Sequence, residues 1–422
     1  MTTTQKSYAL PIAMMFALFF MIAFVTGLPS PMGVIVAKQF GATNFQSQLG
    51  FLGNFMAYAF MGIPAGIMLK KFGYKVTALS AIAVGFVGVG VQFLSGQVGL
   101  FSVYLVGTFI SGFSMCMLNT VVNPMLNTLG GGGNSGNRLL QFGGSINSIG
   151  ATITPMLVGF LMGAEAGRTI EKANPALFLA LGIFALAFVV LSFVNIPEPH
   201  METAAERKVK HSHSPLSFRH FIFGAIAIFI YVGIEIGIPS TANLFMTASK
   251  SASNPGLGIE ATTAGSIVGV YWLLMLVGRL IGASIGAKVS SKAMIIGVSS
   301  LGLVLILLAI ISPITTTVSM PHFGVEVPIS ILYLVLCGLC TSIMWGGVFN
   351  LAVEGLGKYT AAGAGIFMVM VCGGGIVPLI QGSVSDHFGY ISSYWVMFIC
   401  VAYMLWYALI GCKNVNKDIP VE

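Results

Sequence analysis

Residues 150–159 read GATITPMLVG, and residues 373–382 read GGGIVPLIQG. In both, glycine, proline and glycine occupy the first, sixth and tenth positions, so Gly150, Pro155 and Gly159 return as Gly373, Pro378 and Gly382 after 223 residues. A second pair agrees, because Asn123 leads to Leu129-Gly130 and Asn350 leads to Leu356-Gly357, displaced by 227 residues. Two nearly equal displacements mark one structural unit used twice. The surroundings of each copy are continuously apolar, which makes the copies helices in lipid, where small residues allow close approach and proline bends are tolerated.

The rest of the chain fits that reading. Of 422 residues 56% are hydrophobic and 7% charged, too little polar surface to coat a water-soluble domain. A crossing needs roughly 20 apolar residues, and twelve such stretches are predicted at 10–36, 46–69, 76–95, 99–129, 138–163, 175–195, 220–248, 261–287, 293–314, 327–355, 360–384 and 390–412. The runs do not alternate, so a transmembrane barrel is excluded. The first run follows Lys6 without a small-residue cleavage site and is read as a span rather than a removable signal.

One sustained polar stretch interrupts the pattern, from Pro197 to His220, with Glu198, Glu202, Glu206, Arg207, Lys208, Lys210, His211 and His213. It divides the chain into a six-helix bundle at 1–196, a linker at 197–219 and a second bundle at 220–422. The fold expected is an all-α polytopic membrane protein of two pseudo-symmetric bundles around a central cavity. With the N-terminus inside, the inner face receives Lys6, Lys70, Lys71, Lys75, Arg138, Arg207, Lys208, Lys210, Arg219, Arg279, Lys288, Lys292, Lys358, Lys413 and Lys417. The outer face keeps Lys38, Arg168, Lys172 and Lys250, so both termini are expected in the cytoplasm of a cell bounded by this inner, or plasma, membrane. The net charge of +7 is thus explained by topology, with no appeal to nucleic acid. All six cysteines fall in or at the end of apolar runs and are read as packing residues, including the Cys337 and Cys340 pair.

Several segments, in order along the chain, resemble the fucose/galactose/glucose:proton symporter family of the major facilitator superfamily. They are Thr43-Asn44-Phe45-Gln46, Ile63-Pro64-Ala65-Gly66-Ile67, Lys70-Lys71-Phe72-Gly73-Tyr74-Lys75, Asn123-Pro124, Asn147-Ser148, Tyr231-Val232-Gly233-Ile234-Glu235, Gly355-Leu356-Gly357-Lys358-Tyr359-Thr360, Gly373 to Pro378, and Ser385-Asp386. The resemblance implies the major facilitator fold and a sugar as cargo. It also marks departures. The family's aspartate late in the first span is Ser30 here, a glutamate of the fourth span is Asn119, a glutamine of the fifth is Gly144, and a proline-threonine pair of the tenth is Gly346-Gly347.

The acids that remain are few, and the first in the chain is Glu165, in an outer loop. Glu235, about fifteen residues into span 7, is the one carboxylate deep in a span. A charge there costs at least about 2.5–3.5 kcal/mol unless it faces a cavity or partner. It is the candidate for coupling to a proton or sodium ion, against the alternative of a structural hydrogen bond that holds span 7. A sugar needs amides that donate and accept, and aromatic faces for its ring. The candidates are Asn119, Asn123, Asn147, Asn243 and Asn350, with Tyr231, Tyr271, Trp272 and Trp345. For each asparagine an interhelical bond is the competing reading, and for Asn123 relief of backbone groups freed by Pro124. Arg279 and the Lys70, Lys71 and Lys75 loop are read as basic gating segments, with plain positive-inside anchoring as the alternative.

No nucleotide loop, metal cluster or nucleophile set is present in the sequence, so an enzyme is not expected, nor a cofactor beyond a coupling ion. The reading reached is a monomeric secondary transporter that carries a small neutral sugar (hexose, deoxyhexose or amino sugar) across the bilayer by alternating access. A multidrug or other small-solute exporter is the rival, disfavoured because it would usually place an acid in the N-terminal half of the cavity.

Overall fold

A computed structural model describes residues 8–39, 41–129, 133–162, 170–198, 213–285, 289–416 and 418–421. Span 1 comprises Ala9–Gly27 and Pro29–Gln39, with a break at Leu28. A short turn, Asn44–Ser47, leads into a helical run, Leu49–Val98, that holds spans 2 and 3. Spans 4, 5 and 6 are Phe101–Leu129, Gly133–Met162 and Asn174–Phe193. Spans 7, 8 and 9 are Arg219–Thr247, Ala261–Ile285 and Ser291–Ile311. Span 10 is broken into Ile329–Thr341 and Met344–Val353, and span 11 into Thr360–Met370 and Gly373–Phe388. Span 12, Tyr394–Trp406, ends in a π turn at Tyr407–Gly411.

Twelve spans were expected and twelve are found, with two corrections of detail. The loop predicted across residues 70–75 shrinks to a single non-helical residue, Gly73, at φ 83° and ψ 178°. Only glycine takes that conformation without strain, so one residue carries the chain from span 2 into span 3. Between spans 9 and 10 a hairpin unseen in the sequence pairs β1 (Thr317–Met320) antiparallel with β2 (Val325–Pro328). Of the linker, Pro197, Glu198 and 213–219 lie among the described residues, whereas His211 and the basic run at 207–210 lie outside them. The Glu198 carboxylate accepts the backbone N–H groups of Tyr74 and Lys75, which ties the start of the linker to the Gly73 turn.

Packing sorts the spans into two tiers. Spans 3, 6, 9 and 12 expose large apolar side chains such as Val87, Phe178, Leu186, Phe193, Leu301, Ile311 and Ile399, a surface that suits lipid and not water. Span 7 is the most enclosed, with 67% of its apolar window buried. Where helices cross closely, glycine makes room: a side chain at Gly112 would strike the Asn54 carbonyl, and one at Gly373 the carbonyl of Phe229.

Spans 1 to 6 pack mainly on one another, as do spans 7 to 12, and two seams join the sets. Spans 5 and 8 touch along their length, from Gly159 against Thr262, through Gly269 against Met156, to Arg279 against Gly144. Spans 2 and 11 do the same, from Asn44 against Gly382, through Leu52 against Gly375, to Gly62 against Val369. The second part of span 1 also meets span 7, on the face away from the linker.

Candidate functional site

Between the seams lies a cavity of about 590 Å³, walled by spans 1, 2, 4 and 5 from one side and spans 7, 8, 10 and 11 from the other. Its roof is Pro239 and Ser240, the latter accepting a hydrogen bond from the buried Gln48 amide at 3.3 Å. Its wall descends to Asn123 and Asn350, toward the linker face.

Three amides of the N-terminal half line the wall and are tied down by their donors. Asn119 donates to the Tyr58 hydroxyl at 3.0 Å and to the Met115 carbonyl at 3.1 Å. Asn123 donates to the Asn119 carbonyl at 2.8 Å. That carbonyl is the ordinary helical partner of residue 123 and not the one freed by Pro124, so relief of the proline is not what Asn123 supplies. Asn147 donates to the Phe19 carbonyl at 3.1 Å and so joins span 5 to span 1. Each side chain thus has its amide nitrogen engaged and a fixed orientation, the arrangement a precise polar site requires.

From the other half, Tyr231 and Glu235 stand one turn apart on span 7, with the Trp345 ring centroid 6.1 Å from that of Tyr231. Arg279 of span 8 lies opposite, its Nη2 3.7 Å from Glu235 Oε1. The same guanidinium reaches across the seam, where Nη1 donates to the Gly144 carbonyl and to Ser148 Oγ, both at 2.7 Å. Both charged side chains are about one-sixth exposed or less, at 17% and 14%. Trp272 and Asn350 complete the set on the wall.

Eight of the ten candidate binding residues therefore gather around one cavity: Asn119, Asn123, Asn147, Tyr231, Glu235, Trp272, Trp345 and Asn350. Two do not. Asn243 is buried in span 7 two turns nearer the sealed face, and Tyr271 turns away, its hydroxyl 3.0 Å from Thr341 Oγ1 and its ring edge-on to Trp272. Arg279 is also relocated, since it forms part of the cavity wall. The loop lysines make contacts in their own half: Lys75 Nζ donates to the Ser192 carbonyl, and Lys71 lies 5.2 Å over the Phe72 ring. Missed in the sequence were the aromatic walls Phe19, Phe51, Phe55, Tyr58 and Phe349, which carried no polar signal to separate them from core.

The electrostatics of the wall are simple. Among the described lining residues the charged side chains are Glu235 and Arg279, and they offset each other. What remains is amide, hydroxyl and aromatic surface, suited to a neutral solute with many hydroxyl groups.

Comparison with known proteins places this geometry. Residues 14–378 match the family model described as Major Facilitator Superfamily. The chain is 29% identical to a glucose/galactose transporter of Brucella abortus, over 98% of this chain and 97% of that one. It is 28% identical to a putative glucose/galactose transporter of Helicobacter pylori, over 97% and 98%, and 23% identical to the L-fucose-proton symporter of Escherichia coli, over 91% and 89%. Among solved structures, the Escherichia coli fucose:proton symporter superposes with a TM-score of 0.68 at 21% identity, covering 97% of this chain and 100% of that one. A D-xylose-proton symporter gives 0.68 at 14% identity, covering 97% of this chain and 99% of that one.

Proposed function

We propose that this chain, which belongs to the Major Facilitator Superfamily and is therefore a membrane transporter and not an enzyme, carries a neutral monosaccharide by proton-coupled alternating access. The observation that carries the reading is the charge-balanced wall. Among the described lining residues one acid and one base cancel across 3.7 Å, and the amides Asn119, Asn123, Asn147 and Asn350 with the rings of Trp272 and Trp345 supply hydrogen bonds and a stacking face. The names of the Brucella and Helicobacter relatives, matched along nearly their whole length, support a hexose as cargo.

In this mechanism the sugar binds between the halves at 1–196 and 220–422, which rock about the two seams. Glu235 takes up the coupling proton. While it is ionised it holds Arg279, and when it is protonated the guanidinium keeps its two acceptors on span 5 but loses its counter-charge, so the balance between the halves changes with the proton. The linker face, rich in lysine and arginine, is the cytoplasmic one, which puts both termini inside.

Reconstituted protein tests this directly. Uptake of labelled glucose, galactose, fucose and N-acetylglucosamine is measured under imposed proton or sodium gradients. The expected result is accumulation of at least one of them driven by the proton gradient, abolished by Glu235→Gln while exchange down a sugar gradient persists. Accumulation that follows sodium, or that is untouched in Glu235→Gln, refutes the coupling role. Failure of every sugar to be taken up refutes the cargo.

A further inference from the structure

Two of the motifs that mark the sequence, Thr43-Asn44-Phe45-Gln46 and Ser385-Asp386, lie more than 300 residues apart and have no place in the cavity. The fold brings them together on the face away from the linker. Asp386 Oδ1 accepts the backbone N–H of Asn44 at 2.7 Å, and Oδ2 accepts that of Phe45 at 2.9 Å. Around this core, Asn44 Nδ2 donates to Ser385 Oγ at 3.3 Å and the Tyr390 hydroxyl donates to Asn44 Oδ1 at 2.9 Å. Burial pushes the Tyr390 hydroxyl up to about 12, so it stays a donor. We propose that Asp386 is the latch of the transport cycle, a carboxylate of one half that caps the Asn44–Ser47 turn leading into span 2 in the other and so holds this face shut.

The physical argument starts from the helix end. The first N–H groups of a helix have no partner within it, and the positive end of the helix favours an anion. Here Thr43 Oγ1 serves only Gln46 N, at 3.2 Å, in a capping box, which leaves Asn44 and Phe45 to be satisfied from across the interface. Asp386 itself is held in place from its own half, because Asn254 Nδ2 donates to the Ser385 carbonyl at 2.9 Å. The fit is close: a Cβ on Gly382 would lie 2.8 Å from the Asn44 carbonyl oxygen. Separation of the halves at this face breaks all four cross-half bonds at once.

The repeated unit supplies an internal control. Gly159, the counterpart of Gly382, also receives a first turn, that of span 8, and Thr262 Oγ1 donates to its carbonyl at 3.1 Å. Four residues beyond Gly382 stands Asp386, whereas four beyond Gly159 the sequence has Gly163. The carboxylate near span 8 is Glu260 of the same half, bonded to Thr262 at 3.1 Å. At this face, among the described residues, the span 2 and span 11 seam thus carries a carboxylate clasp between the halves and the span 5 and span 8 seam does not, its own charged contact, Arg279 to Gly144 and Ser148, lying deeper beside the cavity.

The test is a distance measurement in full-length protein reconstituted in lipid. Spin labels at Leu100→Cys and Ser251→Cys, both exposed and in opposite halves on this face, report its opening. Protein without the two added cysteines serves as the labelling blank. The expected result is a short distance in the parent protein and a longer-distance population enriched about tenfold or more in Asp386→Ala, since two hydrogen bonds to a charged acceptor are lost. Asp386→Asn, isosteric and uncharged, should fall between them, and it keeps the test alive if the alanine variant does not fold. A distribution unchanged in both variants overturns the latch, even if thermal stability falls, because a purely structural role lowers stability without moving the distance. The outcome is independent of which sugar, if any, is carried.

Discussion

Neutralising Arg279 alone should destabilise the protein more than neutralising Arg279 and Glu235 together. In Arg279→Gln the carboxylate loses its partner at 3.7 Å, and two bonds of 2.7 Å to span 5 disappear with it. Breaking a buried pair from one side costs about 3–5 kcal/mol, and exposures of 17% and 14% to the cavity put this case near the lower end. In Glu235→Gln the guanidinium keeps both span 5 acceptors, so the cost is that of one charged interaction, about 1.5–3 kcal/mol. The double variant strands no charge and loses mainly the two span 5 bonds, a loss that Arg279→Gln also bears in addition to its stranded carboxylate. The order of loss expected is therefore Arg279→Gln first, with the double variant well short of the sum of the singles. Unfolding of the four purified proteins in one detergent, followed by tryptophan fluorescence, gives the cycle. Effects additive within about 0.5 kcal/mol would refute the reasoning, because residues that do not interact add to that accuracy.

Three further outcomes follow from the geometry. Trp272→Ala and Trp345→Ala should each raise the KM of sugar uptake about tenfold through lost ring contact, whereas Tyr271→Phe should leave it unchanged, since that hydroxyl serves Thr341 away from the wall. Gly144→Gln should cut the maximal rate of uptake: a Cβ there stands 3.7 Å from Arg279 Nη1, and the rest of the side chain displaces the guanidinium from its two acceptors. Gly73→Ala should cost about 1–3 kcal/mol, measured by thermal unfolding, from a φ of 83° alone. Combined with Glu198→Ala it should cost less than the sum, as the Glu198 carboxylate packs directly on Gly73.

The spans were legible because lipid leaves one way to satisfy a continuous apolar backbone. The turn at Gly73 was not, since a lysine-rich stretch looks the same whether it loops over six residues or passes through one glycine. Within the site, periodicity explains both successes and failures. Successive helical residues differ by about 100°, so Tyr271 points well away from Trp272 and finds Thr341 instead of the wall, and composition gives no reason to choose between them. Asn243 follows Glu235 by eight residues and lies about 80° round the helix, which turns it from the wall into the buried packing of span 7. Arg279 follows Trp272 by seven residues and shares its face to within about 20°, so its entry into the cavity was written in the spacing. The positive-inside pattern masked it, because an arginine near the inner end of a span has a ready explanation as an anchor.

The duplicated unit shows where sequence repetition stops informing function. Gly159 and Gly382 do the same mechanical work, each accepting the first turn of a helix from the opposite half. That work needs only a missing side chain, so both copies of the unit keep it. The chemistry is not shared. Glu235, Arg279 and Asp386 all belong to the second copy, and the first contributes amides and a carbonyl to meet them. Among the described residues, the charged side chains that reach across the interface thus come from one half. Arg279 grips span 5 beside the cavity, and Asp386 grips span 2 at the sealed face. The two grips lie on different seams and at different depths, so in the proposed mechanism a change of charge at Glu235 acts on the first while leaving the second to set which face is closed.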